Sequence, residues 1–250
     1  MNKISLVGFF ILSLVFMSCD KNETGDKDLN INFKLVYGGA PLVLLQDYAY
    51  PDGRALLFNR VSFYVSGVQL NSSSGTSTSS DVKMVNFNAS NSSLAGALAG
   101  NIVKFNGFTE GNISKLKLCF GVDKTNNSKE PSNFKSGESL SDQSEYWAGW
   151  KSYIFMRLEG FLDAKRDGKK NLGFALHTGS DDAYTCLEFP VNFKIEGNSV
   201  NTVNVLIDIK KVFGTSTTYN IDANPQIHSL SQLAQALELA GNLKTAVSVE

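Results

Sequence analysis

The sequence predicts a mainly β protein, an antiparallel β-sandwich with one C-terminal amphipathic helix. Apolar and polar residues alternate in run after run, Gly- and Asn-rich turns separate the runs, and leucine and alanine recur at helical spacing near the C-terminus.

Alternation with a period of two sends successive side chains to opposite faces of a strand, so each such run has one buried face. Ile31, Phe33, Leu35 and Tyr37 alternate with mostly polar neighbours, and Val61, Phe63 and Val65 alternate with Ser62, Tyr64 and Ser66. The same reading predicts strands over residues 83–87, 102–105, 116–122, 153–158, 172–177, 187–195 and 200–209. Gly38-Gly39, Asp52-Gly53, Asp167-Gly168 and Glu196-Gly197-Asn198 supply turns between them. Many short strands so punctuated point to a sandwich. Two polar stretches, 71–80 and much of 126–144, bury too little to order themselves fully and are predicted as surface excursions. Ser229-Leu230-Ser231-Gln232 fits a capping box, and Leu230, Leu233, Ala234, Leu237 and Ala240 follow on one helical face. Gly241 is the predicted stop, with a last short strand around 246–249.

At the N-terminus, Lys3 precedes an apolar run from Ile4 to Met17 that is too short to span a bilayer and has the layout of a secretory signal. Ser18 followed by Cys19 resembles the lipobox of bacterial lipoproteins. Residues 1–18 are therefore expected to be a signal peptide and Cys19 the lipidated first residue of the mature chain, held to a membrane by palmitate-like acyl chains. Residues 19–29 read as a flexible acidic tether, and 30–250 as a single domain. The expected location is the cell envelope, as an outer-membrane lipoprotein facing the periplasm or the cell surface. A net charge of −1 with scattered lysines leaves no electrostatic footprint for nucleic acid.

Setting Cys19 aside leaves Cys119 and Cys186, both in strand-like runs. In an oxidising compartment they form a disulfide candidate, the alternative being a thiolate metal pair. No nucleophile elbow, phosphate loop, dinucleotide fingerprint or zinc-protease helix occurs, so no enzyme is expected. Two histidines are present, His177 at the end of a strand run and His228 just before the helix cap, each open to a structural or a metal-binding role. Trp147, Trp150 and Tyr153 cluster in one segment and fit either core filling or an exposed aromatic platform for a glycan or protein.

The order of several pieces resembles the MbnP family. They are the early Phe33-Lys34-Leu35-Val36-Tyr37-Gly38-Gly39, then Phe63-Tyr64-Val65-Ser66-Gly67-Val68-Gln69-Leu70, Phe120-Gly121-Val122-Asp123, Tyr146-Trp147, the run from Tyr153 to Gly160, Leu176-His177-Thr178-Gly179-Ser180 and Ile227-His228-Ser229. That family is β-rich, periplasmic, associated with methanobactin operons, and binds copper. Some members are substrates of a dihaem peroxidase-like partner that oxidises a tryptophan to kynurenine. The resemblance implies a copper site at His177 and His228 near Trp147, and two imidazoles alone suit Cu(I), which accepts low coordination numbers. One departure stands out: the family's second tryptophan position holds Gly149, and Trp150 comes one place later.

Overall fold

The computed structural model describes residues 27–197 and 201–250. The expected signal peptide, Cys19 and tether residues 19–26 lie outside the described residues. The last three tether positions are not a tether: Lys27, Asp28 and Leu29 open the first strand, because Leu29 is fully buried and Asp28 pairs with Lys104 across the sheet.

The principal strands are β1 (Lys27–Tyr37), β2 (Ala55–Ser72), β3 (Lys83–Asn86), β4 (Asn101–Phe108), β5 (Gly111–Phe120), β6 (Tyr146–Trp147), β7 (Ser152–Leu162), β8 (Leu172–Gly179), β9 (Thr185–Ile195), β10 (Asn201–Asp208), β11 (Gln226–Ile227) and β12 (Val247–Val249). The longest helix among the described residues, α1 (Leu233–Ala246), follows a single 3-10 turn, and shorter helical pieces span Leu94–Ala99, Lys124–Asn127 and Ile209–Val212.

Together with the short strands Ala40–Pro41, Tyr48–Ala49 and Gly75–Thr78, these twelve build two sheets among the described residues, of five and ten strands. In the smaller sheet β1 lies between β10 and β4, and β12 flanks β10. The larger runs β9-β5-β2-β7-β8-β11. Most neighbours are antiparallel, but β1 with β10 and β8 with β11 are parallel, a feature that alternation alone does not reveal. Phe33, Val205, Phe58, Val61, Leu158 and Leu176 meet in one apolar core. Full burial of each such side chain contributes about 1.5–3 kcal/mol.

Strand β2 is long because it changes partner along its length, pairing with β7 at Leu56 to Phe63 and with β5 at Val65 to Ser72. The ladder with β5 shifts register at Gly67, between Ser66 and Gln69, where φ is +58° and a Cβ would come within 2.7 Å of Tyr184 Oη. Only glycine accepts both conditions at low cost.

Both predicted excursions are ordered. Residues 71–80 include Gly75–Thr78, which folds back on β2 as a hairpin, its backbone satisfied by a ladder rather than by apolar burial. The stretch 126–144 is held by local polar contacts. Asp123 caps the turn Lys124–Asn127, a capping box opens Pro131–Asn133, and Asp142 caps Gln143–Glu145. Side chains bonding to their own backbone gave this segment structure without hydrophobic periodicity.

Helix α1 runs through Gly241 instead of stopping there. Leu243 and Ala246, beyond the glycine, are buried, and their burial outweighs the roughly 1 kcal/mol that glycine costs a helix. Leu230 and Leu237, placed on the apolar face by spacing, are exposed. The expected capping box is also altered: Gln232 Oε1 accepts the backbone N–H of His228 (2.8 Å), one residue before the expected Ser229.

Cys119 and Cys186 are directly opposite on β5 and β9 and joined by a disulfide, which leaves no thiolate pair for a metal. Replacing both by alanine should lower unfolding stability by about 4 kcal/mol in the chain-entropy model, read from denaturant unfolding with and without the substitutions.

Candidate functional site

The register of the larger sheet decides what stands on its outer face. Leu158, Leu176 and Ile227 point into the core, so their neighbours Arg157, His177 and His228 point outward. Arg157 is opposite Ser62 on β2 and His177 on β8. Leu176 pairs with Ile227 on β11, and continuing that register by one residue sets His228 beside His177. The two imidazole rings are 4.9 Å apart between centroids and near-parallel, at 26°.

This face is covered. The segment from Ser139 to Trp150 crosses it, bringing Glu145 and Trp147 down on the row. The Trp147 ring lies 4.8 Å from His228 and 5.9 Å from His177. Trp150 stacks behind Trp147 at 6.3 Å, away from the imidazoles.

Covering charged residues demands that they satisfy one another, and they do so in a chain. Arg60 donates to Glu145 (2.6 Å), Arg157 donates to the other oxygen of Glu145 (2.9 Å) and to Glu159 Oε1 (3.0 Å), and that same oxygen meets His177 Nε2 at 2.8 Å. Two guanidinium groups and two carboxylates balance in charge when the histidine is neutral. Removing one member of such a buried set leaves an uncompensated charge, whereas the intact set is close to neutral in its own contribution. Sequence reasoning missed all four charged members. The available signal was Arg157-Leu158-Glu159, two opposite charges on one face of an otherwise apolar strand.

Burial pushes the His177 imidazole below the ordinary histidine range, more than its bond to Glu159 raises it, and burial lowers His228 likewise. Glu159 moves from 4.5 to about 2, chiefly through its hydrogen bond to His177 and secondarily through Arg157. Both rings are therefore neutral near pH 7. Two of their nitrogens are buried without a hydrogen-bond partner: Nδ1 of His177 and Nε2 of His228.

The other sequence candidates separate. Tyr153 is fully buried and its hydroxyl donates to the Leu140 carbonyl (2.8 Å), and Trp150 is 7 % exposed, packed against Gly179, where a Cβ would lie 2.7 Å from its ring. Neither belongs to an exposed platform, because the turn after Trp147 folds both inward; the glycan-or-protein platform reading is corrected on that ground. Trp147 is half-buried and is the aromatic of the segment that meets the histidines. A cleft of about 710 Å³ opens beside the same turn, lined by Trp150, Lys151, Lys124 and Asp181 among others, but neither histidine lines it. The unpartnered nitrogens mark the site better than the concavity does.

The model of the family described as MbnP matches residues 26–229. The chain belongs to the MbnP family. Among solved structures, MbnP from Methylosinus trichosporium is 15% identical, with a TM-score of 0.47 over 77% of this chain and 79% of that chain. No curated protein matches. The match to the MbnP model takes in both histidines of this family member, Trp147 and the charge chain.

Stability of the metal-free protein should depend on pH in two windows. Histidines with depressed values bind fewer protons folded than unfolded, so stability falls as pH drops below 6.5, the ordinary histidine value. Glu159 stabilises the fold above its ordinary 4.5 and that share is lost as pH falls toward about 2. Denaturant midpoints measured across pH should decline in both windows; His228→Gln should shrink only the upper one, whereas His177→Gln should shrink the upper one and also the lower, because Glu159 loses the partner that lowers it most.

Proposed function

We propose that this chain is a lipid-anchored envelope protein that binds copper between His177 and His228, as a holding or handling protein and not an enzyme. The observation that supports the reading is the pair of buried, unpartnered imidazole nitrogens on neighbouring rings. A buried polar atom without a partner costs about 1–3 kcal/mol, and a bound cation removes that cost at both nitrogens together. The rings are 4.9 Å apart between centroids, so both nitrogens belong to adjacent rings of one locality.

The donor set favours copper. Imidazole suits copper and zinc, while carboxylate-rich sites suit harder cations, and the nearby carboxylate, Glu159, is already engaged by Arg157 and His177. Among the described residues no group of three or more His, Cys, Asp or Glu is arranged to hold a metal ion, and the two imidazoles are the candidate protein ligands at the site. Zinc prefers four ligands, whereas Cu(I) accepts two. Membership of the MbnP family supports the same choice. Copper held this way supplies a thiophilic, redox-active centre; the chain's own residues bind it, exclude water through the covering segment and keep both rings neutral.

Trp147 is the aromatic beside the pair. Oxidation of that ring to kynurenine by a dihaem peroxidase-like partner would add an aromatic amine next to the histidines, a third nitrogen that would strengthen the site.

Anaerobic titration of the apo-protein with Cu(I) tests the reading. We expect stoichiometric binding with quenching of tryptophan fluorescence, and loss of both effects in His177→Ala and in His228→Ala. Undiminished binding in the double variant would refute the ligand assignment, and no binding in the native protein would refute the function.

The anchor is tested separately. Expressed in a host that processes lipoproteins, the native chain should incorporate labelled palmitate and sediment with membranes, while Cys19→Ser should do neither. Equal membrane association of the two would overturn the anchor.

A further inference from the structure

The chain of charges ends on one particular nitrogen of His177, and that fixes which nitrogen remains. Glu159 Oε1 lies 2.8 Å from Nε2 and also accepts from Arg157 at 3.0 Å. A carboxylate held by a guanidinium only accepts, so the histidine must donate from Nε2. The remaining ring nitrogen, Nδ1, then carries its lone pair in the plane of the ring and has no other partner, although it is buried.

We propose that Glu159 is the positioning residue of the site: by occupying Nε2–H it fixes the tautomer and orientation of His177 so that metal is bound through Nδ1. The inference rests on the copper reading above and deepens it. Glu159 does not touch the ion; it acts through the imidazole, making the ring more basic and forbidding the flip that would turn Nε2 toward the metal. Its own position is set by the rest of the chain. Arg157 is held at Glu145 as well as at Glu159, and at the Ser144 carbonyl (2.9 Å). Glu145 in turn is held by Arg60. The covering segment therefore contributes Glu145 to the same array that orients the ligand.

The row also explains an asymmetry between the two histidines. His177 is fixed through its side chain, whereas His228 is fixed through its backbone. Gln232 accepts the His228 N–H and donates to the Gln226 carbonyl, bridging the residues on either side of Ile227 at the entry to α1. His228 presents Nε2 as its unpartnered nitrogen, so the two rings offer unlike nitrogens to a shared ion.

Nitrogen-15 NMR of histidine-labelled protein tests this, since Cu(I) and Ag(I) are both diamagnetic. In the native apo-protein, His177 should show a protonated Nε2 and an unprotonated Nδ1. On adding Cu(I) or Ag(I), Nδ1 should shift while Nε2–H persists. Glu159→Gln, whose amide oxygen still accepts from Nε2–H, should keep that nitrogen assignment with a small loss of affinity. Glu159→Leu should weaken metal binding by about 10- to 100-fold and let Nε2 carry metal in part of the population. A shift at Nε2 in the native protein, or a Glu159→Leu variant with unchanged affinity and nitrogen assignment, would overturn the proposal while leaving copper binding intact. Absence of any histidine shift with either metal would instead remove the copper reading, and this inference with it. If Glu159→Leu does not fold, the native spectra and Glu159→Gln still decide the question.

Discussion

Charge compensation on the outer face of the larger sheet is the constraint on which the site depends. Arg157 and Glu159 stand on a strand whose neighbours would otherwise leave them facing solvent, and the segment from Ser139 to Trp150 lies over them. Covering charges in this way is tolerable only when each meets an opposite charge with good geometry. Arg60, Glu145, Arg157 and Glu159 meet that requirement in sequence across three parts of the chain. The end of the array is His177, the one member that can stay neutral, and that neutrality leaves a nitrogen free.

The same packing links fold to site in the other direction. The disulfide ties β5 to β9 at the far side of the sheet, while β11, only two residues long, is held to β8 by a parallel pairing and by Gln232 from the start of α1. His228 thus depends on contacts drawn from a strand edge and a helix entry together. A short edge strand with few ladder bonds would fray by itself. Gln232, reaching back past the serine expected to cap the helix, supplies the missing tie.

Much of the fold was legible because strands buried on one face carry a period of two, and each alternating run became all or part of a strand, several of them much longer than the run: 61–66 lies inside Ala55–Ser72, and 116–122 became Gly111–Phe120. The parallel pairs were not legible, since Phe33 and Val205 would alternate identically against an antiparallel neighbour. The ordering of 126–144 was hidden for another reason: Asp123, Glu130 and Asp142 stabilise turns through their own backbone, a signal carried by single residues and not by periodicity. At the site, His177 and His228 could be nominated from the sequence through their place in the family pattern, but their proximity arises from strand register, which no local spacing encodes. Arg157 and Glu159 were visible as charges within an apolar run; that they belonged to the site could be read only once Glu145 was seen to cover them.

The displaced second tryptophan bears on which ring serves the histidines. Trp150 donates its backbone N–H to the Trp147 carbonyl (3.0 Å), closing a tight turn over Ala148 and Gly149. That turn sends the two rings to different surroundings: Trp150 packs against Gly179 and the core, and Trp147 lies over the imidazoles. The indole of Trp150 is separated from both histidines by the ring of Trp147 stacked on it. Of the two rings, Trp147 is the one in contact with the imidazoles, 4.8 Å from His228 and 5.9 Å from His177. The one-residue shift therefore leaves Trp147, half-buried, as the ring beside the imidazoles, with Trp150 stacked behind it.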